Sequence, residues 1–180
     1  MKIYIKNMVC VRCESIVKAE LNKIGIPFKS VKLGEVEVDD DLSPEKRTLL
    51  NDALVKSGLG LLDNKKSVLV EKIKNLIIEL VHYTDDRLKT NLSVYLKEKL
   101  GYDYAYLSRL FAEVNGMTIE NYFITIRVER AKEMLVYEDF SINEIADKLH
   151  FSDASHFNRQ FKKVTGLTPS YFREIKNNRL

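Results

Sequence analysis

At 180 residues, 45% apolar and 31% charged, the chain has the composition of an ordinary soluble globular protein, long enough for one large or two small domains. No apolar run approaches the roughly 20 residues that span a bilayer, and the strand-like N-terminus does not read as a signal peptide, so a cytoplasmic protein without a membrane partner is expected. The formal net charge of +3 excludes a globally basic surface: residues 1–64 carry 10 basic and 10 acidic residues, residues 65–180 carry 19 and 16, and any basic patch must be local.

Lys2–Lys6 alternates Ile3 and Ile5 against polar neighbours, which predicts a strand. From Cys13 to Ile24, apolar residues at 16, 17, 21 and 24 mark one helical face. FKSVKLGEVEVDD reads as two short strands about Leu33-Gly34-Glu35, with Val31, Leu33, Val36 and Val38 inward. Ser43-Pro44-Glu45 combines a hydroxyl N-cap, proline at the first helical position and an acid in the first turn. That helix is expected to end at Ser57-Gly58, and LGLLD to form a last strand. The order β-α-β-β-α-β predicts a ferredoxin-like unit over residues 1–64.

From Ser67 onward the pattern is helical. Leu69, Ile73, Leu76, Ile77, Leu80 and Val81 share one stripe of a first helix ending near Tyr83. Further helices are predicted at about 91–100, 104–114, 118–137, 141–150, 153–164 and 168–176, with Gly101, Gly116 and Gly166 between them and a capping box at Ser141 and Glu144. The predicted fold class is therefore α+β: a ferredoxin-like domain over 1–64, then an all-α domain over 65–180. Only Asn64-Lys65-Lys66 separates them, a junction short enough to predict rigid coupling.

The strongest signal is a repeat. YLSRLFAEVNGMTIENYF (106–123) matches HFNRQFKKVTGLTPSYFR (156–173) at an offset of 50 residues, pairing Arg109 with Arg159, Phe111 with Phe161, Val114 with Val164, Gly116 with Gly166 and Thr118 with Thr168. Each copy predicts helix, tight turn and second helix, and a helix of about 20 residues between them would span roughly 30 Å, close to one DNA turn of about 34 Å. Phe111, Phe161, Leu107, Phe157 and Tyr122 recur at helical spacing and are expected in the core. Arg127 and Arg130, beside Glu129 and Glu133, read as solvated or intrahelically paired, and His82 and His150 as structural.

SINEIADKLHFSDASHFNRQFKKVTGLTPSYFREIK carries IA-x-x-L, R-x-F-K-K, G-x-T-P and Y-F-R elements, and with them the chain resembles the AraC/XylS family of transcription factors over roughly residues 72–176. The resemblance implies double-stranded DNA as partner, read by two recognition helices in adjacent major grooves, with RNA polymerase as a further expected partner. By position it assigns Ala105, Ser108 and Arg109 to bases in the first segment, and Ser155, His156, Asn158 and Arg159 in the second. Arginine suits bidentate contact with guanine, and Lys162 and Lys163 suit phosphates. The first copy departs from the pattern, with Ala112-Glu113 in place of the lysine pair, which predicts a weaker phosphate grip and asymmetric docking.

The chain's two cysteines both lie in NMVCVRC, residues 7–13, between the first strand and the first helix. Three readings compete: a soft-metal site on Cys10 and Cys13, a reversible dithiol/disulfide switch, and a pair that merely packs. Thiolates at a helix N-terminus beside Arg12 have a lowered pKa, and two soft sulfurs suit Cu(I), whereas structural Zn(II) usually takes four ligands. The M-x-C-x-x-C of Met8, Cys10 and Cys13 resembles the heavy-metal-associated domain of copper chaperones and metal-pumping ATPases, with Asn7-Met8-Val9 where that family has Gly-Met-Thr. The resemblance implies Met8 as a buried prop of the loop and Cys10 and Cys13 as ligands of Cu(I) or another soft metal ion.

The combined expectation is a sequence-specific, metal-responsive transcriptional regulator, with a homodimer as a way to bring four thiolates to one ion. The alternative keeps the regulator and makes the N-terminal domain a metal-free dimerisation, redox or ligand-sensing module. No paired carboxylates, nucleophile–base set or phosphate loop stands in a catalytic context, so no enzyme is expected.

Overall fold

Alternation of apolar and polar residues along short strands builds a sheet with one buried face. In the computed structural model, which describes residues 1–62, 64–83 and 91–177, the chain begins β1 (Lys2–Lys6), α1 (Val11–Ile24), β2 (Phe28–Lys32), β3 (Glu35–Val38), α2 (Pro44–Val55) and β4 (Gly60–Leu62). The strands form one antiparallel sheet in the order β2-β3-β1-β4, registered by Ile3 opposite Val36, Ile5 opposite Leu61 and Val31 opposite Val36. Ile3, Ile5, Val31, Val36 and Val38 pack with Val17 and Leu21 of α1 and Leu50 and Leu54 of α2. Leu33, expected inward as a strand residue, sits half-buried in the β2–β3 turn against this core. Asp63, the last residue of the expected LGLLD strand, lies outside the described residues.

The helix boundaries follow local chemistry. Ser43 Oγ accepts the Lys46 N–H at 3.3 Å ahead of Pro44, and Gly25 closes α1 in the left-handed region, its N–H donating to the Asn22 carbonyl and that of Ile26 to Leu21. α1 starts at Val11, earlier than the apolar stripe indicated, so Cys10 is its N-cap residue and Cys13 lies in its first turn. Every described element after β4 is a helix: α3 (Lys65–His82), α4 (Leu92–Leu100), α5 (Tyr104–Asn115), α6 (Ile119–Tyr137), α7 (Ile142–Lys148), α8 (Ala154–Thr165) and α9 (Pro169–Asn177).

Two units divide between Leu76 and Ile77. The junction expected at 64–66 is helical from Lys65 onward, and the first unit reaches further because α3 finds its partners there. Buried Glu71 accepts the Asn7 backbone N–H at 2.8 Å and pairs with Lys74 at 3.5 Å. The Lys72 ammonium lies 4.9 Å from the Tyr4 ring centroid, and Asn75 Nδ2 donates to the Leu33 carbonyl at 3.1 Å. That last contact explains Gly34: a Cβ there would stand 2.0 Å from Asn75 Nδ2. Asn7 itself holds φ +66°, tolerable for asparagine, and its Nδ2 donates to the Gly58 carbonyl at 3.0 Å.

The second unit packs Val128, Ala131, Met134 and Leu135 of α6 against Ile145, Ala146, Leu149, Phe151, Phe157 and Phe161, with Val81 of α3 at the margin. The Ser141–Glu144 capping box is present, Ser141 Oγ accepting the Glu144 N–H at 3.2 Å and Glu144 Oε2 accepting the Ser141 N–H at 2.7 Å. His82 is half-buried, and its burial lowers its pKa from the ordinary value.

Glu71→Ala should lower the stability of the first unit by about 2 kcal/mol, since it leaves the Asn7 N–H without its charged acceptor. Amide exchange at Asn7 should quicken with it, while Glu71→Gln, which can accept the same bond, should retain most of the protection. Hydrogen exchange and urea unfolding of the full chain measure both.

Candidate nucleic-acid interface

Helix geometry places residues i, i+3, i+4 and i+7 on one face. In α8, Phe157 and Phe161 are fully buried, so Ser155, Asn158, Arg159 and Lys162 point the opposite way and, with Lys163, are exposed. In α5, Leu107, Leu110 and Phe111 are buried, and Ala105 and Arg109 are exposed with Ser108 half-buried between them. The expected positions thus gather on one face of each helix. His156 lies one residue round: half-buried, its Nδ1 is 3.1 Å from Ser152 Oγ and its ring meets Phe151 edge-on at 5.6 Å. Tyr122 is half-buried, its ring 5.4 Å from Phe111, as a core role requires.

Each face is held by its caps. Asp153 Oδ1 accepts the His156 N–H at 2.7 Å at the start of α8, and that bond holds the Asp153 carboxyl below its ordinary pKa. Asp103 instead pairs with Lys97 at 2.9 Å across the preceding turn. Gly116 and Gly166 end α5 and α8 in the left-handed region at φ +69° and +78°. Thr118 caps α6 by accepting the Asn121 N–H at 3.1 Å. With 19 residues, α6 is about 28 Å long at about 1.5 Å per residue.

Arg127 corrects the expectation of a solvated or intrahelically paired residue. It is 8% exposed, with its guanidinium carbon 3.5 Å from the Phe151 ring centroid and 5.0 Å from that of Phe123. Burial lowers its pKa to about 10, so it stays charged at neutral pH. The acids beside it in sequence suggested ion pairing, whereas the tertiary structure offers ring faces. Arg130 does pair, with Glu133 at 3.0 Å and with Glu138 at 3.0 Å. Arg173, quoted in sequence only as part of a signature, donates from Nε to the Leu135 carbonyl at 3.2 Å and from Nη2 to the Phe140 carbonyl, closing the C-terminal end of α6. Its acceptors lie 38 and 33 residues earlier in the chain, so no local signal marked the contact.

In the first unit, Cys10 Sγ lies 3.6 Å from Cys13 Sγ, both half-buried and both free thiols. The Cys13 backbone amide, followed by the Cys13 thiol, the Arg12 backbone and the Arg12 charge, lowers the Cys10 pKa from its ordinary value against the opposing effect of burial. Met8 is fully buried beneath the loop, and Val9, Val11 and Arg12 are exposed. Among the described residues no group of three or more His, Cys, Asp or Glu side chains could hold a metal ion. Two sulfurs by themselves would suit a soft, low-coordinate ion and would not suit a closed structural zinc site.

Two helix-turn-helix units joined by one long helix, each presenting a polar face on its second helix, define a double helix-turn-helix domain of the kind that docks on DNA. A family described as a helix-turn-helix domain matches residues 96–175. The TetD protein of transposon Tn10 from Escherichia coli is 35% identical over 104 residues, 58% of this chain and 73% of TetD. The C-terminal domain of AraT, a response regulator from Geobacillus stearothermophilus, superposes with a TM-score of 0.53 at 26% identity, covering 62% of this chain and 88% of that one. The DNA-binding domain of AdpA, solved in complex with a target DNA, shares the fold with a TM-score of 0.52 at 21% identity, over 61% of this chain and 94% of that one. The chain belongs to the AraC family of helix-turn-helix transcriptional regulators. It spans 14% of the length of the long regulators from Bacillus subtilis and Staphylococcus aureus that it also matches. No helix among the described residues is long and apolar enough to cross a membrane.

Arg127→Ala should destabilise the second unit by about 2 kcal/mol through lost ring contacts and packing. Thermal unfolding of the full chain followed by circular dichroism checks this.

Proposed function

We propose that the chain is a sequence-specific DNA-binding transcriptional regulator whose recognition helices are α5 and α8. The observation that carries this reading is the exposed face of α8, where Ser155, Asn158, Arg159, Lys162 and Lys163 stand opposite the buried Phe157 and Phe161. Arg159 and Arg109 take guanine O6 and N7, Ser155, Asn158, Ala105 and Ser108 contact base edges beside them, and Lys162 and Lys163 neutralise phosphates. His156, tethered at the margin, contacts the backbone or the outermost base.

We further propose that the N-terminal unit is a ferredoxin-like, heavy-metal-associated-like domain in which Cys10 and Cys13 hold a soft metal ion such as Cu(I). Support comes from the β-α-β-β-α-β order, the sheet order, the 3.6 Å separation of the sulfurs and the lowered Cys10 pKa. Metal then governs transcription by linkage: it must bind DNA-competent and DNA-incompetent states with different affinity. Partners in this reading are double-stranded DNA, RNA polymerase and a second copy of the chain whose thiols complete the site. The proximity of the two free thiols also favours a second reading, a dithiol/disulfide switch at the same residues.

Arg159→Ala should relax base preference at one position of the selected site, whereas Lys162→Ala should weaken binding at all sequences and reduce the salt slope by about 1. Binding-site selection followed by a salt titration separates these; if neither variant alters DNA retention, the assignment of α8 fails. Cu(I) titration against a competing chelator should show tight binding by the wild type, lost in Cys10→Ser/Cys13→Ser, and a metal-dependent change in DNA affinity present only in the wild type. Equal affinities, or DNA binding blind to metal in both, would sink the sensor reading and leave the redox one.

A further inference from the structure

The two recognition helices hold unlike means of gripping a duplex. α8 carries Arg159, Lys162 and Lys163 and no acid, whereas in α5 Arg109 is balanced by Glu113. On the second helices the lysine pair that suits phosphates therefore belongs to α8 alone, and α5 has no counterpart to it.

At the 50-residue offset, Tyr102, Tyr104 and Tyr106 stand where the second copy has Ser152, Ala154 and His156. Tyr104 is used internally: its hydroxyl donates to Glu120 Oε1 in the first turn of α6. Tyr102 and Tyr106 are 48% and 37% exposed, with ring centroids 5.6 Å apart and planes tilted by 31°. On the helix, Tyr106 follows Ala105 by one residue, about 100° round, at the margin of the Ala105–Ser108–Arg109 face. When the centre of a recognition helix enters a major groove, its margins meet the sugar–phosphate walls. A tyrosine suits that boundary, with an apolar ring body and a hydroxyl donor at its tip.

We propose that Tyr106, braced by the ring of Tyr102, is the DNA-backbone anchor of the first helix-turn-helix unit, its hydroxyl donating to a phosphate where the second unit uses lysines. This rests on the reading of α5 and α8 as recognition helices. The chain then grips two successive groove segments by different physics, one ionic and one neutral. A lysine on a phosphate releases a counterion and makes affinity fall with salt, whereas a neutral hydroxyl adds affinity that salt leaves alone.

The test uses the full-length chain and a duplex that the wild type recovers from a random-sequence pool, with affinity measured across a salt series. Tyr106→Phe keeps the ring and its packing and removes only the donor to a charged acceptor, so affinity should fall about tenfold at every salt concentration with the slope unchanged. Lys162→Ala/Lys163→Ala should instead flatten the slope by about 2. Tyr102→Ala should weaken binding, because its ring braces Tyr106. Wild-type affinity for Tyr106→Phe, or a loss accompanied by a flatter slope, overturns the anchor while leaving the recognition helices in place. A wild type that retains no duplex from the pool overturns the recognition-helix reading and the anchor together.

Discussion

The burial of Phe157 and Phe161 against α6 is the constraint on which the rest of the second unit depends. These residues are four apart, so they share one side of α8, and both are fully buried. Burying an aromatic side chain is worth roughly 1.5–3 kcal/mol. Rolling α8 by one residue toward its C-terminal neighbours would turn this pair out and bring Asn158 and Lys162 inward, where an unpaired charge is costly. The outward face made of Ser155, Asn158, Arg159 and Lys162 is thus fixed by what lies on its opposite side. Leu107 and Phe111 impose the same condition on α5, with smaller apolar volume at the first position.

Helix α6 turns two such faces into a ruler. Its start is set by Thr118 and its end by Arg173, whose bonds to the Leu135 and Phe140 carbonyls stop the last turn from fraying. Arg127 sits within it, its guanidinium spread over Phe151, the residue two before the N-cap of α8. A guanidinium is planar and weakly hydrated, which suits it to ring faces in a way that an ammonium is not. The start of α8 is thereby tied to the body of α6.

Much of this was legible in the residues. Caps such as Ser43 and Ser141, and glycines between helices such as Gly101, Gly116 and Gly166, are local devices whose chemistry is complete within a few residues. The repeat exposed the helix pairs because each copy solves the same packing problem. What escaped was tertiary in origin. Arg127 read as solvated because its sequence neighbours are acids, while the rings that hold it come from elsewhere in the fold. Glu71 carries no local signal in the sequence, yet it is buried and accepts the backbone N–H of Asn7, 64 residues earlier. For the same reason no composition shift marks the division between Leu76 and Ile77, where a helix stops packing against a sheet.

The thiol loop shows how such a tertiary contact bears on chemistry. Asn7 in the left-handed region turns the chain out of β1, Met8 buries itself beneath the turn, and Cys10 then falls at the N-cap of α1 with Cys13 one turn along. Each step is stabilised by something other than sulfur: a carboxylate on Asn7, the core around Met8, the backbone of α1. The two sulfurs stand 3.6 Å apart on the backbone those contacts fix. An ion or an oxidant acting on them would meet a dithiol already ordered, so little of its binding free energy would go into arranging the loop.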